Sequence, residues 1–287
     1  MTQAHQYTRT PRSGRLRAKR DDHAPVFSAP ALAEVSGHVH PAQRRELLGA
    51  AVDPLTMDET VAAIEQLLEE GGHGHNHLAM NAAKLVSVSN DPTLVAKFST
   101  ATLVTADGQA LVWASRLLGD PLPERVAGID LMDRLVDLSA HNGRRIYLLG
   151  ATDEVVRQVR WRFLARGANV VGFHNGFWRR DGVTDEQMAE AVSRARPDIV
   201  LVGVPSPLKE DFVFGQRERT GAGICVGVGG SFDVVAGRTS RAPRWMQRAG
   251  MEWFWRLAQE PRRMFKRYLV GNTKFMWLVL RARWHRA

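Results

Sequence analysis

Continuous apolar runs alternate with segments of helical period along most of the chain. The runs are LLGAAV (47–52), HLAMN (77–81), ATLVTA (101–106), RRIYLLGA (144–151), ANVVGF (168–173), PDIVLVGV (197–204) and GICVGVGG (223–230). They read as strands apolar on both faces, the pattern of a parallel sheet covered on both sides. Between them lie helices with legible ends. Thr56 and Glu59 form a capping box, and Val61, Ile64, Leu67 and Leu68 share a face behind it. Thr184 with Gln187 is a second box. Asp91-Pro92 opens a helix, as does Ser206-Pro207, with Ser as N-cap and Pro at N1. Further helices are predicted over 82–89, 109–118, 129–141 and from Asp153, and Asn142-Gly143 ends the third of these. The alternation predicts an α/β, doubly wound (Rossmann-like), mostly parallel sheet with helices on both faces.

In such sheets ligands bind beyond the carboxyl ends of the strands. That rule singles out Asn81, Asp107, Gly150, Asn175, Ser206 and the pair Gly229-Gly230. Asp107 stands between an apolar run and a helix, as a general base held by the sheet or as a helix cap. Gly229 and Gly230 belong to GVGGSFDVVAG (227–237), a turn whose amides either cradle a diphosphate or simply pack tightly. It is neither GxGxxG nor GxSxG, because Phe232 and Asp233 take the places those motifs reserve for glycine. A dinucleotide-binding reading needs an acid about 20 residues beyond the turn. Glu252 is near that spacing, but inside a basic segment. Arg125, in the loop between Pro123 and Gly128, has the fork geometry for a phosphate. His73, His75 and His77 alternate in a Gly-rich stretch and read as a mobile polar loop before a metal site.

Composition narrows the partners. Of 287 residues 39 are Lys or Arg and 30 Asp or Glu, so a net charge of +9 favours an anionic partner. The excess sits at the end of the chain. Residues 241–287 hold twelve Lys or Arg against two Glu, and five of the eight tryptophans. From Pro261 a helix is predicted that interleaves Phe265, Tyr268 and Leu269 with Arg262, Arg263, Lys266 and Arg267. Basic and aromatic residues at this density read as a helix lying in a membrane interface, where each cation is worth about 1 kcal/mol on an anionic leaflet. On pattern alone, an RNA-binding arm or an oligomer interface stays open. No apolar run reaches the roughly 20 residues of a membrane span, and no secretory signal is expected. Cys225, the single cysteine, leaves no internal disulfide and suits a reducing compartment. The organisation predicted is a disordered basic tail over 1–43, a catalytic domain over 44–245 and a helical, basic and aromatic C-terminal appendage over 246–287.

HLAMNAAKL, TADGQALV, ERVAGIDL, VGVPSPLKE, GVGGSFDVVAG with RAPRW, and EWFWRLAQEPRRMFKRY occur in this order from Leu47 to Tyr268. With these motifs the chain resembles the WecG/TagA/CpsF glycosyltransferases, glycosyltransferase family 26. The resemblance implies inverting transfer of a sugar from a UDP-sugar to a polyprenyl-diphosphate-linked sugar in bacterial cell-surface polysaccharide synthesis. It implies a peripheral enzyme on the cytoplasmic face of the membrane. Asp107 falls on the family's proposed base, Arg125 on its active-site arginine and Asn81 on its asparagine strand. Ser206 and Lys209, Gly229 and Gly230, and Arg241 fall on motifs around the substrates. Arg256, Arg262, Arg263 and Arg267 fall in the appendage held to bind membrane and phosphate. Two positions depart: Ala79 stands where the family often has Thr, and Lys209 where it commonly has Gln. With no DxD motif or dense carboxylate cluster, transfer without a metal or other cofactor is expected. The partners expected are the UDP-sugar, the lipid-linked acceptor and an anionic membrane surface, not nucleic acid. A homo-oligomer is left open.

Overall fold

The computed structural model describes residues 44–259 and 261–286; the tail predicted over 1–43 lies outside them. The chain opens with an antiparallel hairpin, β1 (Arg45–Leu47) and β2 (Ala50–Val52). One strand is predicted here, but Leu48 and Gly49, both at positive φ, turn the chain back. Helix α1 (Met57–Glu69) follows, with the predicted Thr56–Glu59 box in place. Then come β3 (His75–Met80), α2 (Ala82–Val88), α3 (Pro92–Ser99), β4 (Leu103–Ala106), α4 (Gln109–Leu117) and α5 (Gly128–Asn142). The second half runs β5 (Arg145–Gly150), α6 (Asp153–Ala165), β6 (Asn169–His174), α7 (Asp185–Arg194), β7 (Ile199–Gly203), α8 (Leu208–Gly215), β8 (Ile224–Gly227) and α9 (Ser231–Val235). It closes with α10 (Arg244–Arg248), α11 (Glu252–Gln259) and α12 (Pro261–Arg286).

Strands β3 to β8 form one six-stranded sheet, parallel at every pairing, in the order β4-β3-β8-β7-β5-β6. Successive residues of a strand feed opposite cores. Val200 and Val202 face one, with Met80, Leu85, Phe98, Leu111 and Phe212; Ile199 and Leu201 face the other, with Ile64, Leu131, Val156 and Phe163. Both faces are therefore helix-covered, as the continuous apolar runs require. The hairpin shields the open edge of β4: Asp53 donates its amide to the Val104 carbonyl at 2.7 Å and accepts the Val104 amide at 2.6 Å.

Two local expectations are corrected. Ser206 does not cap α8. The helix starts at Leu208 without a side-chain cap, and Ser206 Oγ donates instead to Glu210 Oε1 at 3.0 Å. The histidine stretch is not all loop: His75 begins β3, and His77 is buried with Nε2 2.8 Å from Thr105 Oγ1. Burial first, then Lys84 and Lys209, hold the His77 imidazole down at about 3. It is a neutral core group, closed to a metal at the loop tip.

The final helix is long. α12 packs on α2, with Gly271 against Ala83, and buries Phe275 and Val279 in the core that holds Leu85 and Met80. The described residues fall in one compact unit.

Candidate active site at the carboxyl edge of the sheet

Register brings the predicted strand ends together. Met80 pairs with Ala106 and Val202 with Gly227, so Asn81, Asp107, the turn after Gly227 and the segment after Gly203 share one edge. The Asp107 amide donates to the Met80 carbonyl at 2.6 Å, which fixes its backbone to the neighbouring strand. Of the two readings of Asp107, the cap does not hold: the N-cap of α4 is Gly108, and no side chain caps the helix. Among the described residues the half-buried Asp107 carboxylate has no hydrogen-bond or ion-pair partner within bonding distance, so its lone pairs are open to a substrate proton. Asn81 sits beside it, its Cβ 3.9 Å from where a Cβ of Gly108 would lie. Asn81 Oδ1 caps α2 by accepting the Lys84 amide at 3.1 Å. That leaves its amide nitrogen as a donor at the edge.

Below this edge lies a buried ionic cluster. Lys84 Nζ is 2.9 Å from Glu210 Oε1 and donates to the Ala79 carbonyl at 2.6 Å. Lys209 Nζ approaches the same Glu210 oxygen at 3.4 Å. Burial opposes ionisation of Glu210, but Lys84 and Lys209 outweigh it and hold the carboxyl at about 2. Burial and then Lys84 push the Lys209 ammonium down to about 8, while Glu210 and Asp107 act the other way. Asp107 is thus within electrostatic reach of a buried lysine. The Lys209 stem runs beneath the glycine turn: a Cβ on Gly227 would lie 3.1 Å from its Cδ, and one on Gly229 3.7 Å from its Nζ. Gly229 has φ +55, and its amide turns back to the Val202 carbonyl at 3.3 Å. The predicted cradle therefore loses one of its two amides, because Gly229 closes the strand end; Gly230 is the exposed member.

A second charge cluster ties the appendage to the sheet. Arg241 meets Asp130 through Nη1 and Nη2, both at 2.7 Å, and its Nε lies 3.7 Å from Glu252 Oε1. Arg125 pairs with the other Glu252 oxygen, and its Nη2 is 3.6 Å from Asp130. Two arginines and two carboxylates thus connect the 118–127 loop, α5, the RAP loop and α11. Arg256 and Arg262 are exposed beyond it; the side chains of Arg263 and Arg267 lie outside the described ones.

Lys84, Glu210 and Asp130 escape the strand-end rule, since each sits inside a helix. Lys84 carries one usable signal, three residues after the capping Asn81. Glu252 is the acid at dinucleotide spacing, but it is spent on two arginines at the appendage, not presented at a strand end for a ribose.

The parallel doubly wound sheet carries at its carboxyl edge a carboxylate that no described residue pairs, with an amide beside it and a buried ammonium below, an arrangement suited to group transfer. A profile of the glycosyl transferase WecG/TagA/CpsF family matches residues 45–287. The chain belongs to that family and is a glycosyltransferase. It is similar to an N-acetylglucosaminyldiphosphoundecaprenol N-acetyl-beta-D-mannosaminyltransferase of Bacillus subtilis, 34% identical over 64% of this chain and 70% of the relative. Enzymes of the same description from Bacillus spizizenii and Staphylococcus aureus are 31% and 27% identical, over 67% and 83% of this chain and 73% and 92% of theirs.

Proposed function

We propose that the protein transfers an N-acetylmannosamine-type sugar, with inversion, from a UDP-sugar to an N-acetylglucosamine carried on a polyprenyl diphosphate, at the inner face of a bacterial membrane. The observation that carries this reading is the Asp107 carboxylate, which no described residue pairs, on a backbone fixed at the end of β4. Asp107 accepts the proton of the acceptor hydroxyl as that oxygen attacks the anomeric carbon, and UDP departs from the opposite face. Asn81 orients a sugar hydroxyl through its free amide. Lys209, under the glycine turn, and Ser206, bonded to Glu210, face the donor side, and Gly230 offers an amide there. Arg125 and Arg241 meet diphosphate charge, exchanging part of their pairing with Glu252 and Asp130 for the substrate. The charge on the leaving group is assigned to these cations, and the reaction is written without a metal. No described helix is long and apolar enough to cross a membrane, so attachment is assigned to the exposed cationic and aromatic residues of the appendage. UDP release is the test, measured with a panel of UDP-sugars and a short-chain N-acetylglucosaminyl-diphospho-polyprenol. Release that requires the acceptor, and is highest with UDP-N-acetylmannosamine, is expected. Release equal with and without acceptor contradicts the transfer.

A further inference from the structure

Helix α4 begins two residues after Asp107 and presents a face that the described residues leave exposed. Trp113 and Leu117, one turn apart, are 52% and 49% exposed, with Arg116 exposed between them. The α10–α11 turn is locked against this helix at Gly250. Gly250 has φ +65, and a Cβ there would stand 2.7 Å from the Gln109 Cβ and 3.0 Å from the Trp113 ring. Trp113 therefore continues directly into the appendage, where Trp245 is 64% and Phe254 47% exposed.

We propose that this face of α4 is part of the membrane-docking surface: Trp113 and Leu117 enter the interface of an anionic bilayer beside the catalytic edge, together with Trp245 and Phe254. The proposal rests on the membrane reading above and adds a catalytic-domain helix to it. Charge selects the occupant. The α4 segment Gln109–Leu117 contains no acid, and Arg116, Arg244 and Arg256 are exposed around the aromatic residues. The one acid of α11, Glu252, is held by Arg125 and Arg241. An apolar centre with a cationic rim matches an anionic headgroup layer, and tryptophan with arginine is the composition that interfaces favour. A second copy of this chain would bring the same cations against one another. The geometry also has a consequence for catalysis. Because α4 grows out of the Asp107 turn, seating it on the lipid sets the base at the surface that carries the acceptor's diphosphate.

The test is vesicle flotation of the full chain on phosphatidylcholine alone and on phosphatidylcholine with phosphatidylglycerol. Leu117→Gln, and separately Trp113→Ala with Leu117→Gln, are compared with wild type. The double variant is expected to lose about tenfold or more in partitioning onto the anionic vesicles, as for about 1.4 kcal/mol of lost insertion. Arg116→Gln is expected to lose severalfold on anionic vesicles only. UDP release with a water-soluble short-chain acceptor is expected to be unchanged in Leu117→Gln, which separates docking from folding. Wild-type flotation with both α4 variants floating equally overturns the proposal while leaving the appendage as an anchor. Wild type failing to float on any vesicle overturns the membrane reading itself and this proposal with it. Light scattering that shows a dimer split by Leu117→Gln, with flotation unaltered, overturns it in favour of a second copy.

Discussion

Glu210→Gln removes the carboxylate that, among the described residues, touches both buried lysines at the site. In the native protein one Glu210 oxygen is 2.9 Å from Lys84 Nζ and 3.4 Å from Lys209 Nζ, and the three side chains are 3–12% exposed. The cost follows by two routes. Holding a carboxyl at about 2, against its ordinary 4.5, corresponds to about 3 kcal/mol of preference for the ionised form. Removing one partner of a buried ion pair costs about 3–5 kcal/mol, because the opposite charge stays behind unpaired. For a chain of this size that is a drop of about 6–20 °C in melting midpoint. The assay is thermal and urea unfolding at pH 7, repeated down to pH 2. The sign of the pH effect is fixed. Glu210 is depressed in the folded protein, so its stabilisation is complete above 4.5 and fades as pH falls towards 2. His77, also depressed, to about 3, resists protonation when folded, so stability is lost as well between 6.5 and 3. Wild type should weaken through both windows, and the variant through the His77 window alone. Lys84→Met combined with Glu210→Gln should cost less than the two changes summed. A Glu210→Gln protein within 1 kcal/mol of wild type at pH 7, with an unaltered acid limb, would refute the cluster as described.

Two further changes address the appendage. Phe275→Ala empties a buried site between α12 and α2 and should cost about 3–5 kcal/mol by urea unfolding; a cost under 1 kcal/mol would mean that α12 is not packed as seen. Gly250→Ala places a Cβ against Gln109 at positive φ, so about 1–2 kcal/mol is expected from the backbone alone and more from the clash, read as faster proteolysis of the α10–α11 turn.

The strands, the two capping boxes and the strand-end position of Asp107 are legible in the sequence because each is local: a run of apolar residues, or partners three residues apart. The doubly wound sheet follows from them. The hairpin at 45–52 is not legible, since Leu48 and Ala50 carry no turn chemistry beyond Gly49. Ser206 reads as a cap because Ser-Pro usually opens a helix, yet a carboxylate four residues on offers its hydroxyl a better acceptor. The ionic clusters stay hidden for a general reason. Lys84 meets Glu210 across 126 positions, and Arg125 meets Glu252 across 127, and neither period nor capping pattern names a partner at that distance. The resemblance to a known family supplies Arg125 as a site residue, but not the carboxylates that hold it.

One assay decides whether Asp107 removes the acceptor proton. Acceptor-dependent UDP release by Asp107→Asn, in protein whose melting midpoint and vesicle flotation match wild type, tests it most directly. Turnover lower by about 10²–10⁴-fold is expected, the contribution of a positioned general base. Turnover within a few-fold of wild type would contradict it.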